Sequence, residues 1–230
     1  MSASPSRNSR YDPLQELESP RPALTSRRKR IVDVTIAGVL LILLSPLLLI
    51  VAVLVRITSR GPALFRQERV GVNGSPFTIL KLRTMVVDND DTAHRELNTR
   101  ELLGTDDPET SDGIFKLEAD PRITGIGHWL RRLSLDELPQ LINVVRGEMS
   151  IVGPRPALQW EVDLFQQRHL RRLAVRPGIT GLWQVSGRNQ LSMLEMLDLD
   201  VRYVDEWSPR LDLRIIAMTP GVLFRGDGAR

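Results

Sequence analysis

The sequence predicts an α+β protein in which a re-entrant membrane helix precedes a cytosolic domain made of a β-hairpin and several helices. Three observations support this prediction: a 22-residue run without a charge at Val34–Val55, an Asn-Gly pair between two strand-like segments, and apolar residues that repeat at helical intervals near the C-terminus. A hydrophobic content of 42% with 26% charged residues is typical of a globular chain. We divide the chain into segments 1–26, 27–57 and 58–230.

Composition excludes several kinds of chemistry. Cysteine is absent from the 230 residues, which excludes disulfides, thiolate zinc sites and cysteine nucleophiles. The three histidines, His94, His128 and His169, form no close metal-binding pair along the chain. The net charge is +3, but residues 1–30 alone hold seven Arg and Lys against three Asp and Glu. The rest of the chain is therefore close to neutral, and nucleic-acid binding is not indicated.

The first two segments differ sharply in polarity. Residues 1–26 are rich in Ser, Pro and Arg and lack apolar periodicity, so a disordered tail is predicted. The uncharged run that follows would be about 33 Å long as a straight helix, which is enough to cross a hydrocarbon core of about 30 Å. Association with a membrane is therefore predicted.

Ser45 and Pro46 lie near the midpoint of this run. Pro46 has no N–H for the Ile42 carbonyl, so the helix is expected to kink or reverse there. Basic residues, which mark the cytoplasmic side, flank both ends of the run. They are Arg21, Arg27, Arg28, Lys29 and Arg30 before it, and Arg56, Arg60, Arg66 and Arg69 after it. A helix that bends at Ser45-Pro46 and leaves on the same face is favoured over the alternative, a kinked span.

The third segment begins with a hairpin signal. Asn73-Gly74 separates two apolar, strand-like stretches, which predicts a two-stranded hairpin. Residues 88–120 then carry eleven acidic and three basic side chains with scattered Gly, Pro and Thr. This composition predicts a solvated loop or a partly helical excursion.

Four helices are predicted after this excursion. One spans 138–146 and stops at Gly147. Leucines and valines at three- and four-residue steps predict an amphipathic helix over 191–204. A short helix over 213–218 is expected to end at Pro220, and another is expected around 160–173. Some of these helices are expected to lie on the membrane surface, although packing into an ordinary core explains the same patterns.

The sharpest cluster of reactive side chains lies at Arg131–Gln140. Pro139 can occupy only one of the first helical positions without costing a hydrogen bond, which favours Asp136 as the N-cap. Asp136 and Glu137 would then sit at the positive end of a helix, where carboxylates stay ionised. Ordinary capping and catalysis are both consistent with this pattern.

Cations gather beside Gly and Pro in several other segments. Lys81 and Arg83 lie in a Lys-Leu-Arg-Thr-Met sequence, and Arg155 lies in Gly-Pro-Arg-Pro. Fixed backbone beside an arginine suits a planar guanidinium that binds phosphate oxygens. Neither a P-loop nor a complete dinucleotide-binding glycine motif is present.

Taken in order, Lys81–Met85, Arg131–Gln140, Gly153–Pro156 and Arg176–Gly181, behind a membrane segment with Ser45-Pro46, resemble the bacterial sugar transferase family. These are monotopic polyprenyl-phosphate hexose-1-phosphate transferases, also called phosphoglycosyl transferases. The resemblance covers about residues 27–230, and we expect the small, minimal form of the family. It implies transfer of sugar-1-phosphate from a UDP-sugar to polyprenyl (undecaprenyl) phosphate, with release of UMP.

The resemblance also implies roles for individual residues. Asp136 would be the nucleophile that forms a covalent phosphosugar intermediate, and Glu137 would help to hold Mg²⁺. Phosphate binding would fall to four cations. These are Lys81, Arg83, Arg131 and Arg155. Ser45 and Pro46 would form the break of the re-entrant helix.

The implied setting is the bacterial cytoplasmic membrane, with the catalytic domain facing the cytoplasm. Its expected partners are a UDP-sugar, polyprenyl phosphate and membrane lipids, with no nucleic acid; a homodimer is left open. Two other functions compete with this one. A membrane glycosyltransferase would release UDP instead of UMP, and a membrane-anchored scaffold would turn over no nucleotide.

Overall fold

The computed structural model describes residues 26–86, 92–103, 122–187 and 191–225, and mixes helices with two small sheets. The helices are α1 (Arg27–Thr58), α2 (Thr92–Leu103), α3 (Gly125–Arg132), α4 (Gln140–Arg146), α5 (Gln159–Val162), α6 (Leu182–Ser186), α7 (Met193–Glu206) and α8 (Pro209–Arg225). The strands are β1 (Leu64–Val70), β2 (Pro76–Leu82), β3 (Ser150–Val152) and β4 (Gly178–Thr180). The predicted α+β class is confirmed, whereas the predicted tail lies, apart from Ser26, outside the described residues.

Helix α1 is the one helix, among the described residues, that is long and apolar enough to cross a membrane. Nine of its apolar side chains are more than half exposed, a surface that soluble proteins rarely present. They are Ile31, Val32, Val39, Ile42, Leu43, Leu49, Ile50, Val53 and Ile57. This exposed apolar surface is suited to lipid.

Pro46 lies inside α1, and the helix continues on both sides of it. The Ser45 hydroxyl donates a hydrogen bond of 2.9 Å to the Ile42 carbonyl, which is the group that an N–H at position 46 would otherwise have reached. The serine thus satisfies the carbonyl that the proline leaves without its helical partner. The predicted bend and return at this pair stay a prediction.

Both ends of α1 pack against the same globular body. Near the N-terminal end, Lys29 Nζ lies 2.6 Å from Asp212 Oδ2, and the Asp33 carboxylate accepts a 2.8 Å hydrogen bond from the Ser150 hydroxyl. Near the C-terminal end, Val55 is fully buried in a cluster with Leu82 and Leu130. The apolar middle of the helix is therefore held between two anchored ends.

Strands β1 and β2 form the predicted hairpin. They pair antiparallel from Leu64↔Leu82 to Val70↔Pro76. Asn73 and Gly74 both adopt positive φ, at 54° and 74°, which is the backbone that a tight hairpin turn requires. Because residues paired across an antiparallel hairpin share a face, Lys81 lies on the same face as Arg69.

A second, parallel pair of strands positions the loop that begins at Gly153. β3 and β4 pair through Ser150↔Gly178 and Val152↔Thr180. A Cβ added at Gly178 would lie 2.1 Å from the Gly153 backbone nitrogen, so only glycine permits this approach. The backbones of β3 and β4 are therefore held close together just before Arg155.

Three sequence predictions for this region are confirmed only in part, and the first helix, predicted from 138, begins at Gln140. Helix α4 ends at Gly147, which has a φ of 91°, as predicted. The acidic excursion contains α2, and the rest of 88–120 lies outside the described residues. The single helix expected around 160–173 is instead α5 followed by a separate 3₁₀ helix, Gln167–Ala174.

The prediction that the last helix ends at Pro220 is wrong. Helix α8 runs through Pro220 to Arg225. Proline removes only the hydrogen bond to the Ile216 carbonyl, and Ile215 is buried in the main core at 1% exposure, so packing maintains the helix. Helix α7 matches its prediction closely and begins with a capping box at Ser192.

Candidate active site

Asp136 and Glu137 lie in a 3₁₀ turn, Leu135–Glu137, between α3 and α4. Ser134 enters the turn in the left-handed region, with a φ of 51°. Asp136 is therefore not the N-cap of an α-helix, and that prediction is wrong. The physical reason is that i→i+3 bonds carry the chain: Leu138 N–H donates to the Leu135 carbonyl at 3.3 Å, and α4 starts only after Pro139.

The Asp136 carboxyl group is buried, with 8% of the residue exposed. Burial, followed by the negative charge of Glu137, raises the pKa of Asp136 to about 6, against the opposing charges of Lys81 and Arg131. The helix start that the sequence predicted would lower the pKa of Asp136. The pKa is raised instead, because desolvation of the carboxylate is the largest contribution. At pH 7 the carboxylate is ionised but poorly solvated, a state that favours reaction with an electrophile.

Glu137 pairs with Lys81 across the site. Lys81 Nζ lies 2.9 Å from Glu137 Oε1, and the two side chains are 26% and 34% exposed. Lys81 comes from the end of β2, so the hairpin and the turn meet at this ion pair. The partial exposure leaves room for a substrate to reach both charges.

Arg131 approaches the same turn from α3. Its Nε donates a 3.0 Å hydrogen bond to the Thr84 hydroxyl. The Thr84 carbonyl in turn accepts from the Thr124 N–H at 2.9 Å, at the start of α3. The structure thus brings together Asp136, Glu137, Lys81 and Arg131, four of the residues that the sequence singled out.

Arg155 is held by its backbone while its side chain stays half-buried. Its N–H donates to Asp200 Oδ2 at 3.3 Å, and its carbonyl accepts from Arg172 Nη2 at 2.6 Å. Arg172 and Asp200 form an ion pair of 2.5 Å, with side chains 4% and 1% exposed. Burial raises the pKa of Asp200 to about 6 even beside Arg172.

Arg69 is a candidate site residue, although its place in the sequence indicated only a charge that flanks the membrane segment. Its Nη1 donates to the Pro156 carbonyl at 3.1 Å, and its Nε and Nη2 both donate to Gln67 Oε1. Burial and then the charge of Arg155 lower the pKa of Arg69 to about 10, against the opposing charges of Glu161 and Glu137. Arg69 therefore links the Lys81 side of the site to the Arg155 loop.

The register of the hairpin is the sequence signal that could have identified Arg69 as a neighbour of the candidate site. With Asn73-Gly74 at the turn, Arg69 and Lys81 both fall on one face of the hairpin. Arg83 is positioned differently: its Nη2 donates to the Ser59 carbonyl and hydroxyl at 2.9 and 2.7 Å, at the C-terminal end of α1. These contacts do not bring Arg83 to the pair Asp136 and Glu137, the dyad of the candidate site, and its binding of phosphate stays a prediction.

The carboxylates present suit a metal ion that is shared with a substrate. Among the described residues no group of three or more acidic or histidine side chains could hold a metal ion. Mg²⁺ is commonly bound by one or two carboxylates together with substrate phosphates and water. Glu137, whose side chain is one-third exposed, fits this pattern.

Comparison with known proteins gives consistent matches. A model of the bacterial sugar transferase family matches residues 24–226. The exopolysaccharide production protein ExoY of Rhizobium meliloti is 43% identical over 201 residues, 86% of this chain and 87% of that protein. The UDP-glucose:undecaprenyl-phosphate glucose-1-phosphate transferase of Caulobacter vibrioides is 41% identical over 210 residues, 88% of this chain and 72% of that protein.

A longer relative shows the same match over part of its length. The undecaprenyl-phosphate galactose phosphotransferase of Salmonella typhimurium is 39% identical over 203 residues, 87% of this chain but 41% of that protein. The family match takes in the membrane helix, the dyad turn and the Arg155 loop together. This chain belongs to the bacterial sugar transferase family.

Proposed function

We propose that this chain transfers a hexose-1-phosphate from a UDP-sugar to undecaprenyl phosphate and releases UMP, through a covalent intermediate on Asp136. The observation that carries the proposal is the buried Asp136 carboxylate, which lies among cations at a turn close to the membrane helix. The names of the Caulobacter and Salmonella relatives support the reaction class and the lipid acceptor. The name of the Rhizobium relative supports a place in exopolysaccharide production.

In the first half of the reaction, an Asp136 carboxylate oxygen attacks the phosphorus that carries the sugar. A bond forms between that oxygen and phosphorus, the bond from this phosphorus to the bridging diphosphate oxygen breaks, and UMP departs with the bridging oxygen. In the second half, an oxygen of undecaprenyl phosphate attacks the same phosphorus and the bond to Asp136 breaks. The carboxylate is regenerated, and one site serves a soluble and a lipid substrate in turn.

The cations around Asp136 address the main electrostatic obstacle. Each pair of unit negative charges at 4 Å repels by about 4 kcal/mol at an effective dielectric of 20. Lys81 and Arg131, whose charges already act on Asp136, would offset this repulsion and stabilise the charge that develops on phosphate oxygens. Arg155 would also bind the diphosphate, from a loop that Arg69 and Arg172 hold in place.

A magnesium ion would be held by Glu137 and the substrate oxygens. When bound, it would withdraw negative charge from the diphosphate and neutralise the departing UMP. Glu137 would also keep the Lys81 ammonium oriented towards the site through the 2.9 Å ion pair.

We also propose that α1 is re-entrant in the inner membrane, with both ends on the cytoplasmic face. This proposal is supported by the contacts of Lys29 and Val55, near opposite ends of α1, with the same globular body. Interfacial contact by α3 and α8 is supported by exposed apolar side chains, with Trp129 64% and Leu213 66% exposed. The dyad would then lie near the headgroup plane, where a prenyl phosphate is presented.

The membrane face on which each end of α1 lies can be tested with single cysteines, because the chain has no native cysteine. We expect Arg28→Cys and Arg60→Cys, both at exposed positions flanking the apolar run, to react with a membrane-impermeant maleimide in inverted inner-membrane vesicles. Both should be protected in intact spheroplasts. Reaction of the two cysteines from opposite faces would show a span and overturn the re-entrant proposal.

The reaction class is testable from the nucleotide product. We expect UMP from each accepted UDP-sugar, no turnover after chelation of divalent ions, and about a hundredfold loss in Glu137→Gln, since the amide loses both the ion pair and the metal-binding charge. Glu206→Gln is the matched control because Glu206 forms a comparable 3.0 Å pair with Arg202 at an exposed site. Release of UDP would indicate a glycosyltransferase, and no turnover with any UDP-sugar would indicate a scaffold.

A further inference from the structure

Strand β2 bonds to β1 along one edge, and a side chain of α4 bonds to its other edge. The Asn143 Oδ1 accepts from the Leu80 N–H at 3.1 Å, and the Asn143 Nδ2 donates to the Thr78 carbonyl at 2.7 Å. These two backbone groups belong to residues two apart, the spacing at which a neighbouring strand would bond. The amide of Asn143 therefore takes the place of a third strand.

The hydrogen bonds of this amide are fully used. A second Nδ2 hydrogen donates to Glu148 Oε2 at 2.7 Å, and Asn143 is 0% exposed. The Asn143 backbone carbonyl also accepts from Glu148 N–H at 3.0 Å, just beyond the end of α4. A buried amide with every group bonded is rigid, and its loss would leave backbone groups of β2 unpaired.

The hydrogen bonds of Asn143 form a bridge between β2 and α4, the two elements that meet at Asp136 and Glu137. Leu80 directly precedes Lys81, and α4 directly continues the turn that holds Asp136 and Glu137. Lys81 and Glu137 meet at 2.9 Å, a contact that depends on how β2 lies against α4. The Asn143 bonds lie between those two elements and are closed to solvent.

We propose that Asn143 is a positioning residue that holds the Lys81 strand at the correct distance from the Asp136-Glu137 turn. The inference rests on the proposed function, because it assigns the effect of Asn143 to Lys81 at the phosphate site. Asn143 itself touches no substrate. Its contribution is the alignment of Lys81, and small displacements of a binding group lower turnover steeply.

The test compares Asn143→Ala with Val144→Ala, its neighbour on α4, which is also 0% exposed. We expect Asn143→Ala to lower kcat/KM for UMP release tenfold to a hundredfold and Val144→Ala less than threefold, in nanodiscs at a temperature where both are folded. In a Lys81→Met background, Asn143→Ala should cause less than a twofold further loss. Equal losses in the two alanine variants, or a full extra loss in the Lys81→Met background, would overturn the proposal.

Hydrogen exchange provides a readout that does not depend on activity. A peptide covering residues 77–82 should exchange faster in Asn143→Ala than in wild type or Val144→Ala, and unchanged protection would overturn the bridge. Should Asn143→Ala fail to fold, Asn143→Asp replaces it in both measurements, because it keeps the shape but not the amide donors. A wild-type protein that releases no UMP would overturn the proposed function, and the exchange result would still decide the bridge.

Discussion

Asp136→Asn is expected to abolish UMP release, with a loss of at least about a thousandfold. An amide is a poor nucleophile towards phosphorus and cannot form the proposed acyl phosphate. With a donor labelled at the phosphate next to the sugar, wild type should form a labelled adduct in the absence of lipid acceptor, and peptide mapping should place it at Asp136. The variant should form none.

A measurement of the free energy of unfolding shows whether this loss of activity comes from unfolding of the variant. Because burial raises the pKa of Asp136 to about 6 from an ordinary 3.8, ionising it costs the folded state more than the unfolded state. At pH 7.5 with chelator, Asp136→Asn should therefore be more stable than wild type, by up to about 3 kcal/mol. The difference should shrink as the pH falls below about 6 and disappear below 3.8, where the wild-type carboxyl is protonated in both the folded and the unfolded state.

Asp163→Asn is the matched substitution at an exposed carboxylate. It should change neither the rate of UMP release nor the free energy of unfolding. Normal turnover by Asp136→Asn, or an adduct that maps to another residue, would remove Asp136 as the nucleophile. A destabilised Asp136→Asn protein would contradict the burial argument separately. Turnover and stability therefore test the nucleophilic role of Asp136 and its burial separately.

The elements that sequence predicted well are those fixed by neighbours in the chain. Asn73-Gly74 specifies the hairpin because both residues accept positive φ, and Gly147 ends α4 for the same reason. The grouping of Lys81 with Asp136 came from resemblance to a family, since these residues are far apart in sequence. No local pattern reports how β2 lies against α4.

The predictions that were wrong depended on burial and packing. The carboxylate of Asp136 was expected to be stabilised by a helix start, but burial dominates its pKa. Pro220 was expected to end a helix that packing around Ile215 continues. The bonds of Arg69 to the Pro156 carbonyl and of Arg83 to Ser59 likewise join distant segments, so no sequence spacing could reveal them.

The C-terminal end of α1 is bonded to the segment that follows β2. Arg83 follows Lys81 in the chain by two residues and is bonded to Ser59 at the end of α1. Thr84, next to Arg83, receives the Arg131 hydrogen bond. One short segment after β2 therefore fixes the position of Arg131, a cation of the candidate site, relative to the C-terminal end of α1.

Arg172→Met is expected to have the largest effect on stability, a loss of about 3–5 kcal/mol, because it leaves the Asp200 carboxylate buried without its ion-pair partner. In a chain of this size that loss corresponds to a fall of roughly 10 °C in Tm. Arg171→Met is the matched control, since the adjacent Arg171 pairs with Asp205 at 2.7 Å where both side chains are about 40% exposed. An exposed pair of this kind contributes less than about 1 kcal/mol.

The pH dependence identifies the cause of that loss. The pKa of Asp200 is already raised to about 6 by burial beside Arg172, and removal of the guanidinium would raise it further. Protonated Asp200 needs no cation, so the Tm deficit of Arg172→Met should be smaller at pH 5.5 than at pH 7.5, and adding Asp200→Asn should restore most of it at pH 7.5. Because Arg172 also holds the Arg155 carbonyl, KM for the UDP-sugar should stay raised in the restored double variant. Equal Tm losses in Arg172→Met and Arg171→Met would show that the buried pair does not stabilise the fold, and an unchanged KM would show that the Arg155 loop keeps its position without Arg172.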